Sequence, residues 1–115
     1  MTTRTQFRLR IYRDDGIAVG PGKVALVEAI AETGSISAAA RSLGMSYRRA
    51  WLLVDELNRA LKEPAVIGSA GGRHGGGAAV TPNGRELVSR YRAIERTARE
   101  SAARDIAALT GMLAN

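Results

Sequence analysis

Residues 34–62 read GSISAAARSLGMSYRRAWLLVDELNRALK, and this stretch decides the fold. It predicts two helices joined by a tight turn. Ser35 is placed to cap the first, since its side-chain oxygen can accept from an unpaired N–H of the opening turn. That helix is short and alanine-rich, with Ile36, Ala39, Ala40 and Leu43 along one face. Gly44 supplies the residue most at ease in a left-handed C-terminal position. Met45 fills the turn, and Ser46 caps the next helix. There Ala50, Val54, Leu57 and Leu61 repeat at helical spacing, with Trp51 beside them. Two helices joined by a short glycine-containing turn are a helix-turn-helix.

With Ser46 as cap, Arg48 and Arg49 fall in the first turn of the second helix. The helix dipole is positive at that end, so cations are disfavoured there. A local violation of this kind is expected where function overrides propensity, and an anionic partner removes the conflict. In helix-turn-helix proteins the start of the second helix faces the major groove. An arginine there can donate two hydrogen bonds to guanine or pair with phosphate.

Composition points the same way. The chain has 115 residues, one domain's worth, and a net charge of +6 carried mostly by arginine. A basic balance at this size favours a polyanion, nucleic acid first. With no cysteine there is no disulfide, thiolate metal site or cysteine nucleophile. No apolar run approaches the ~20 residues of a membrane span, and the first residues lack the apolar core of a secretory signal. A cytoplasmic protein with no membrane partner is expected.

Upstream, Phe7, Leu9 and Ile11 alternate with Arg8, Arg10 and Tyr12, a half-buried strand. Asp14-Asp15-Gly16 is a turn signal and residues 17–19 a return strand, so a hairpin over 7–19 is expected. Gly20-Pro21-Gly22 matches a dinucleotide fingerprint only formally. No βαβ unit follows, and the position about twenty residues past Gly22 is Ser42, not an acid. The plain reading is a loop opening a helix whose core face is Val24, Val27, Ile30 and Ala31, with Leu26 beside them, and which ends at Gly34. The three-helix core thus runs over 22–62, with the helix-turn-helix at 35–62.

Downstream, residues 65–68 and 78–80 are short strands around the glycine-rich 71–77, a hairpin of the kind called a wing, spanning 65–81. No Gly-Lys-Ser/Thr follows the glycines, which excludes a P-loop. Arg73 and His74 at its tip are candidate DNA contacts, and the lone histidine is a poor metal ligand. Thr81-Pro82 starts a last helix predicted over 82–110, roughly 40 Å long. Leu87, Tyr91, Ile94, Ala98, Ala102 and Ile106, with Leu109 beyond, form an apolar stripe longer than a small domain covers, which suggests pairing with a second copy.

Residues 20–95 together resemble the N-terminal DNA-binding domain of the ModE family of molybdate-responsive regulators. Residues 28–37, Ser46-Tyr47-Arg48-Arg49-Ala50-Trp51, Asp55-Glu56-Leu57-Asn58, the glycine-rich stretch and Val80-Thr81-Pro82-Asn83-Gly84 carry the likeness. The stretch from Gly34 to Ala40 is also similar to the winged helix of LysR-type regulators. The resemblance implies a winged helix-turn-helix that binds a pseudo-palindromic operator as a homodimer. Molybdate-sensing members carry further C-terminal oxyanion domains, for which a sequence ending at Asn115 has no room. A stand-alone member, or one signalled by a partner protein, is therefore expected, with no cofactor and no tight molybdate site.

The expected function is a sequence-specific transcriptional regulator with double-stranded DNA as partner. Ser46, Tyr47, Arg48 and Arg49 lie at the major groove, and Ser35 and Ser37 where the first helix crosses the phosphates. Lys23 and Arg41 are weaker phosphate candidates. Trp51 is assigned to core and interface. The alternatives are a winged-helix module docking an acidic protein, and a molybdate-responsive component lacking its own sensor. An enzyme has little behind it: Asp55 and Glu56 point to different helix faces, and Arg59 is in reach to pair with them.

Overall fold

The computed structural model describes residues 2–69 and 77–114. Arg73 and His74, expected at the wing tip, lie outside the described residues. The chain runs β1 (Ile11–Arg13), β2 (Gly16–Val19), α1 (Pro21–Thr33), α2 (Ile36–Ser42), α3 (Tyr47–Ala60), β3 (Val66–Ser69), β4 (Gly77–Val80), α4 (Pro82–Ser101) and α5 (Ala103–Gly111). Two antiparallel hairpins, β1–β2 and β3–β4, flank a helical core. This is a winged helix-turn-helix.

The local signals act as the chemistry requires. The Ser35 side chain accepts from the Ala38 N–H at 3.1 Å, and that of Ser46 accepts from the Arg49 N–H at 3.1 Å. Gly44 lies at φ 69°, a left-handed value that lets the turn close with Met45 N–H donating to the Ala40 carbonyl. Gly34 ends α1 in the same way at φ 71°, and its carbonyl accepts from Ala78 N–H at 3.0 Å, which joins the end of α1 to β4.

Leu26, Val27 and Ile30 of α1, Ala39 and Ala40 of α2, and Ala50, Val54 and Leu57 of α3 fill the core, closed below by Ala65, Val66, Ala78 and Val80 of the wing. The small alanines of α2 let the helices approach closely. Ala31, expected on the core face of α1, is exposed, and Leu43 is also largely exposed.

The base of the wing is held by polar side chains. The Asn58 amide nitrogen donates to the Val66 carbonyl at 2.9 Å, and its oxygen accepts from Ala65 N–H at 2.8 Å. The Thr81 hydroxyl donates to the Pro64 carbonyl and accepts from Gly84 N–H, capping α4. Asn83 donates to the Glu63 carbonyl at 2.7 Å. Gly84 is needed because a Cβ there would collide with the Ala65 carbonyl oxygen and stand 2.8 Å from Val80 Cγ1.

Two elements differ from expectation. The first strand is only Ile11–Arg13, and residues 2–10 have no regular structure despite their alternation. Leu9 instead offers its carbonyl to the Tyr91 hydroxyl at 2.9 Å, so this segment is held by α4 rather than by a sheet. The last helix is two helices. Ala102, at φ −98° and ψ 6°, interrupts it. Neither glycine nor proline marks that position, so the apolar period runs through it unbroken.

Candidate nucleic-acid interface

The three sides of α3 face different surroundings. Successive residues turn by about 100°. Ala50, Val54 and Leu57 form the buried row. Arg48, Leu52 and Asp55 form the opposite row, with Arg48 and Leu52 exposed. Arg49 lies on the flank with Leu53 and Glu56, towards the N-terminal hairpin. There Arg49, Arg8 and Arg10 line a pocket of ≈ 570 Å³ over the start of α1. Tyr47 and Trp51, one turn apart, lie towards the wing, and Trp51 lines a groove of ≈ 250 Å³ with Ile36, Val66 and Ile67.

The structure thus gathers Ser46, Tyr47, Arg48 and Arg49 at one exposed helix end with no acidic residue in its first turn. Ser46 is committed to the cap. The neighbouring arginines are not equivalent: Arg48 points away from the core, and Arg49 joins the arginines of the N-terminal segment. In the sequence Arg8 and Arg10 read as the solvated polar face of a strand, with extension of a basic surface as the alternative.

The remaining positions divide. Ser35 is half-buried and caps α2, whereas Ser37, in the first turn of α2, is exposed. Arg41 is exposed in the last turn of α2, where a cation complements the negative end of the dipole. Lys23 requires a correction. It is 7% exposed, and its ammonium donates to the Ile17 carbonyl and pairs with Glu56 at 3.3 Å. A cation committed to internal partners holds β2, α1 and α3 together and is no phosphate contact. Asp55 pairs with Arg59 at 3.0 Å, as expected from their spacing. Trp51, assigned to core and interface, is exposed in the single chain and so is not part of its core.

The stripe on the last helices is mixed. Tyr91 is buried and its hydroxyl bonded to Leu9, so it belongs to the monomer core and is corrected as an interface residue. Burial, with Glu95 nearby, raises its pKa above 10.0. Leu87 packs against the core. Ile94 is exposed, and Ala98, Ala102 and Ile106 are half-buried. Leu109, Met112 and Leu113 continue the exposed apolar surface, the last two beyond the predicted helix. Arg92 anchors the inner side of α4. It bonds Glu28 of α1 at 3.0 Å and Glu95 at 2.7 Å, and these carboxylates raise its pKa.

No group of three or more metal-ligating side chains occurs among the described residues, and no helix there is long and apolar enough to cross a membrane. The arrangement offers hydrogen-bond donors and cations on a helix end, which suits recognition of an anion.

Comparison with known proteins agrees with this geometry. The chain is 50% identical over 80 residues to the molybdenum-pterin-binding protein MopB of Rhodobacter capsulatus, covering 70% of this chain and 30% of that protein. It is 42% identical over 93 residues to the molybdenum transport protein ModE of Azotobacter vinelandii, covering 81% and 34%. The chain thus spans about a third of the length of these relatives. Among solved structures, the CbnR_DBD–DNA complex superposes with a TM-score of 0.60 at 26% identity, over 76% of this chain and 95% of that one. The family model of bacterial regulatory helix-turn-helix proteins of the lysR family matches residues 22–85. That span runs from α1 through the helix-turn-helix and wing into α4, and by it the chain belongs to the lysR family of bacterial regulatory helix-turn-helix proteins.

Proposed function

We propose that this chain is a sequence-specific, DNA-binding transcriptional regulator of ModE type that acts on a pseudo-palindromic operator as a homodimer. The observation that carries the reading is the exposed first turn of α3, where Arg48 and Arg49 stand at the positive end of a helix. Phosphate or guanine at that end relieves the electrostatic conflict. Arg48 faces the major groove, and Tyr47 the groove edge. Ser37, Arg41 and the Arg8–Arg10–Arg49 group suit phosphates on either side. The similar domain solved with DNA supports the same use of the fold.

The second copy is assigned to the surface of Ile94, Ala98, Ala102 and Ile106, extended by Leu109 and Met112. Two recognition helices about one DNA turn apart, ~34 Å, then read the two half-sites. The reading places the protein in the cytoplasm, on DNA. The reading assigns no oxyanion site to these residues, and equilibrium dialysis against molybdate is expected to show no tight binding.

The test is binding to random and selected duplexes at two salt concentrations, with the mass of the complex determined. Selection of an inverted repeat bound by two chains is expected. Arg48→Ala should then weaken operator binding by about 1–3 kcal/mol. Weak binding indifferent to sequence and steeply lost with salt would overturn the reading and favour an acidic protein as partner.

A further inference from the structure

Charge accounts for Arg48 but not for the residues beside it. Trp51 is 48% exposed and Leu52 42%, although α3 already has a complete buried row in Ala50, Val54 and Leu57. Leu52 is four positions after Arg48, one turn further along the same row, and Trp51, three positions after Arg48, borders that row on its wing-facing side. Across the groove from Trp51, Ile67 of β3 is exposed as well.

The polar side chains further along this helix are already engaged. Asp55 pairs with Arg59, and Asn58 is bonded to Ala65 and Val66 at the wing. Glu56 and Arg59 are exposed but paired with Lys23 and Asp55, so the exposed side chains of α3 without a polar partner beyond its first turn are the apolar Trp51 and Leu52. On the floor of the major groove the apolar feature is the C5-methyl group of thymine, which only A·T pairs carry. Continuity with the arginine-bearing turn and the net positive charge point to DNA, rather than an apolar protein, as the occupant.

Resting on the DNA-binding reading above, we infer that Trp51 and Leu52 are specificity-determining residues that read thymine methyl groups next to the position contacted by Arg48. Burying one methyl against them is worth about fourfold in affinity. Arg48 supplies a hydrogen-bonded contact and its apolar neighbours a shape-based one, so a half-site joins a guanine or phosphate contact to adjacent thymines.

The test removes only the methyl. Each thymine of the selected half-site is replaced in turn by deoxyuridine, and affinity is measured for the wild-type chain, Trp51→Ala and Leu52→Ala. The wild type should lose about fourfold at one or more positions. At each such position at least one of the two variants should bind the thymine and deoxyuridine duplexes equally. Both substitutions are at exposed sites, and the wild-type arm tests the methyl contact whatever the variants' stability. Tolerance of deoxyuridine at every position, or a methyl effect of unchanged size in both variants, overturns the inference while leaving the operator in place. That outcome would release the Trp51 face for a protein partner. Failure to select any site overturns the DNA-binding reading itself, and this inference with it.

Discussion

The base of the wing and the far end of the last helices are finished in opposite ways. At the wing base, Asn58, Thr81 and Asn83 bond the backbone of residues 63–66, and Gly84 sits where no methyl group fits. At the far end, Leu109, Met112 and Leu113 stand in solvent, and α5 contributes no buried residue. The first region is complete within one chain. The second has apolar surface that one chain does not use. The difference teaches how each part is held: the wing base by its own hydrogen bonds, whereas the helix end leaves apolar side chains exposed, the surface proposed above for a second copy.

The contrast is broken most severely at Gly84. Gly84→Ala drives a methyl into the Ala65 carbonyl and should lower unfolding free energy by about 3 kcal/mol in chemical denaturation. A variant as stable as wild type would mean that the wing base is loose. Asn58→Ala comes next. It strips partners from Ala65 N–H, Val66 N–H and the Val66 carbonyl, for about 2 kcal/mol.

Tyr91→Phe is smaller. It removes the hydroxyl donated to Leu9, for about 1 kcal/mol at neutral pH. It also carries a pH signature. The folded pKa of Tyr91 is raised, so the folded state holds that proton more tightly than the unfolded chain does. The associated stability is full below pH 10 and is lost as pH rises through the folded value. The phenylalanine variant should lack that alkaline loss in a pH series of thermal melts. At the far end, Ile106→Asp, at a half-buried site, should change monomer stability by no more than about 1 kcal/mol. Sedimentation should nevertheless show it displacing a dimer towards monomer. A large loss of monomer stability would place Ile106 in the monomer core and erase the contrast.

The helix-turn-helix was legible because its signals are local. Ser35, Gly44 and Ser46 act on backbone groups within four residues of themselves, so reading them requires no tertiary knowledge. The wing was legible from its glycines and flanking β-branched residues, and α4 from Thr81-Pro82. Lys23 was misread because its fate depends on Glu56, 33 positions away, and on a carbonyl of β2. That Trp51 stands outside the core of one chain was not legible, because helical spacing gives a row but not which neighbour covers it. The alternation from Phe7 to Ile11 misled because a strand also needs a partner, and β2 ends before reaching residues 7–10. Asn58 and Gly84 appeared only as parts of a family likeness. Their work, gripping β3 and admitting the Ala65 carbonyl, lies between elements distant in sequence.

Asn58 joins the end of α3 directly to the start of β3, so the recognition helix and the wing have little freedom to hinge against each other. On a duplex such a pair behaves as a caliper of set span. Under the function proposed above, α3 would take one groove and the wing strands would stand at a fixed offset from it, so the distance between them would be compared with a width the protein does not adjust. DNA then makes up any mismatch by bending or by narrowing its minor groove, at an energy that depends on its sequence. On that reading, base pairs that no side chain touches would be weighed by that gauge, and flexible pyrimidine–purine steps between the two contacts are expected to raise affinity.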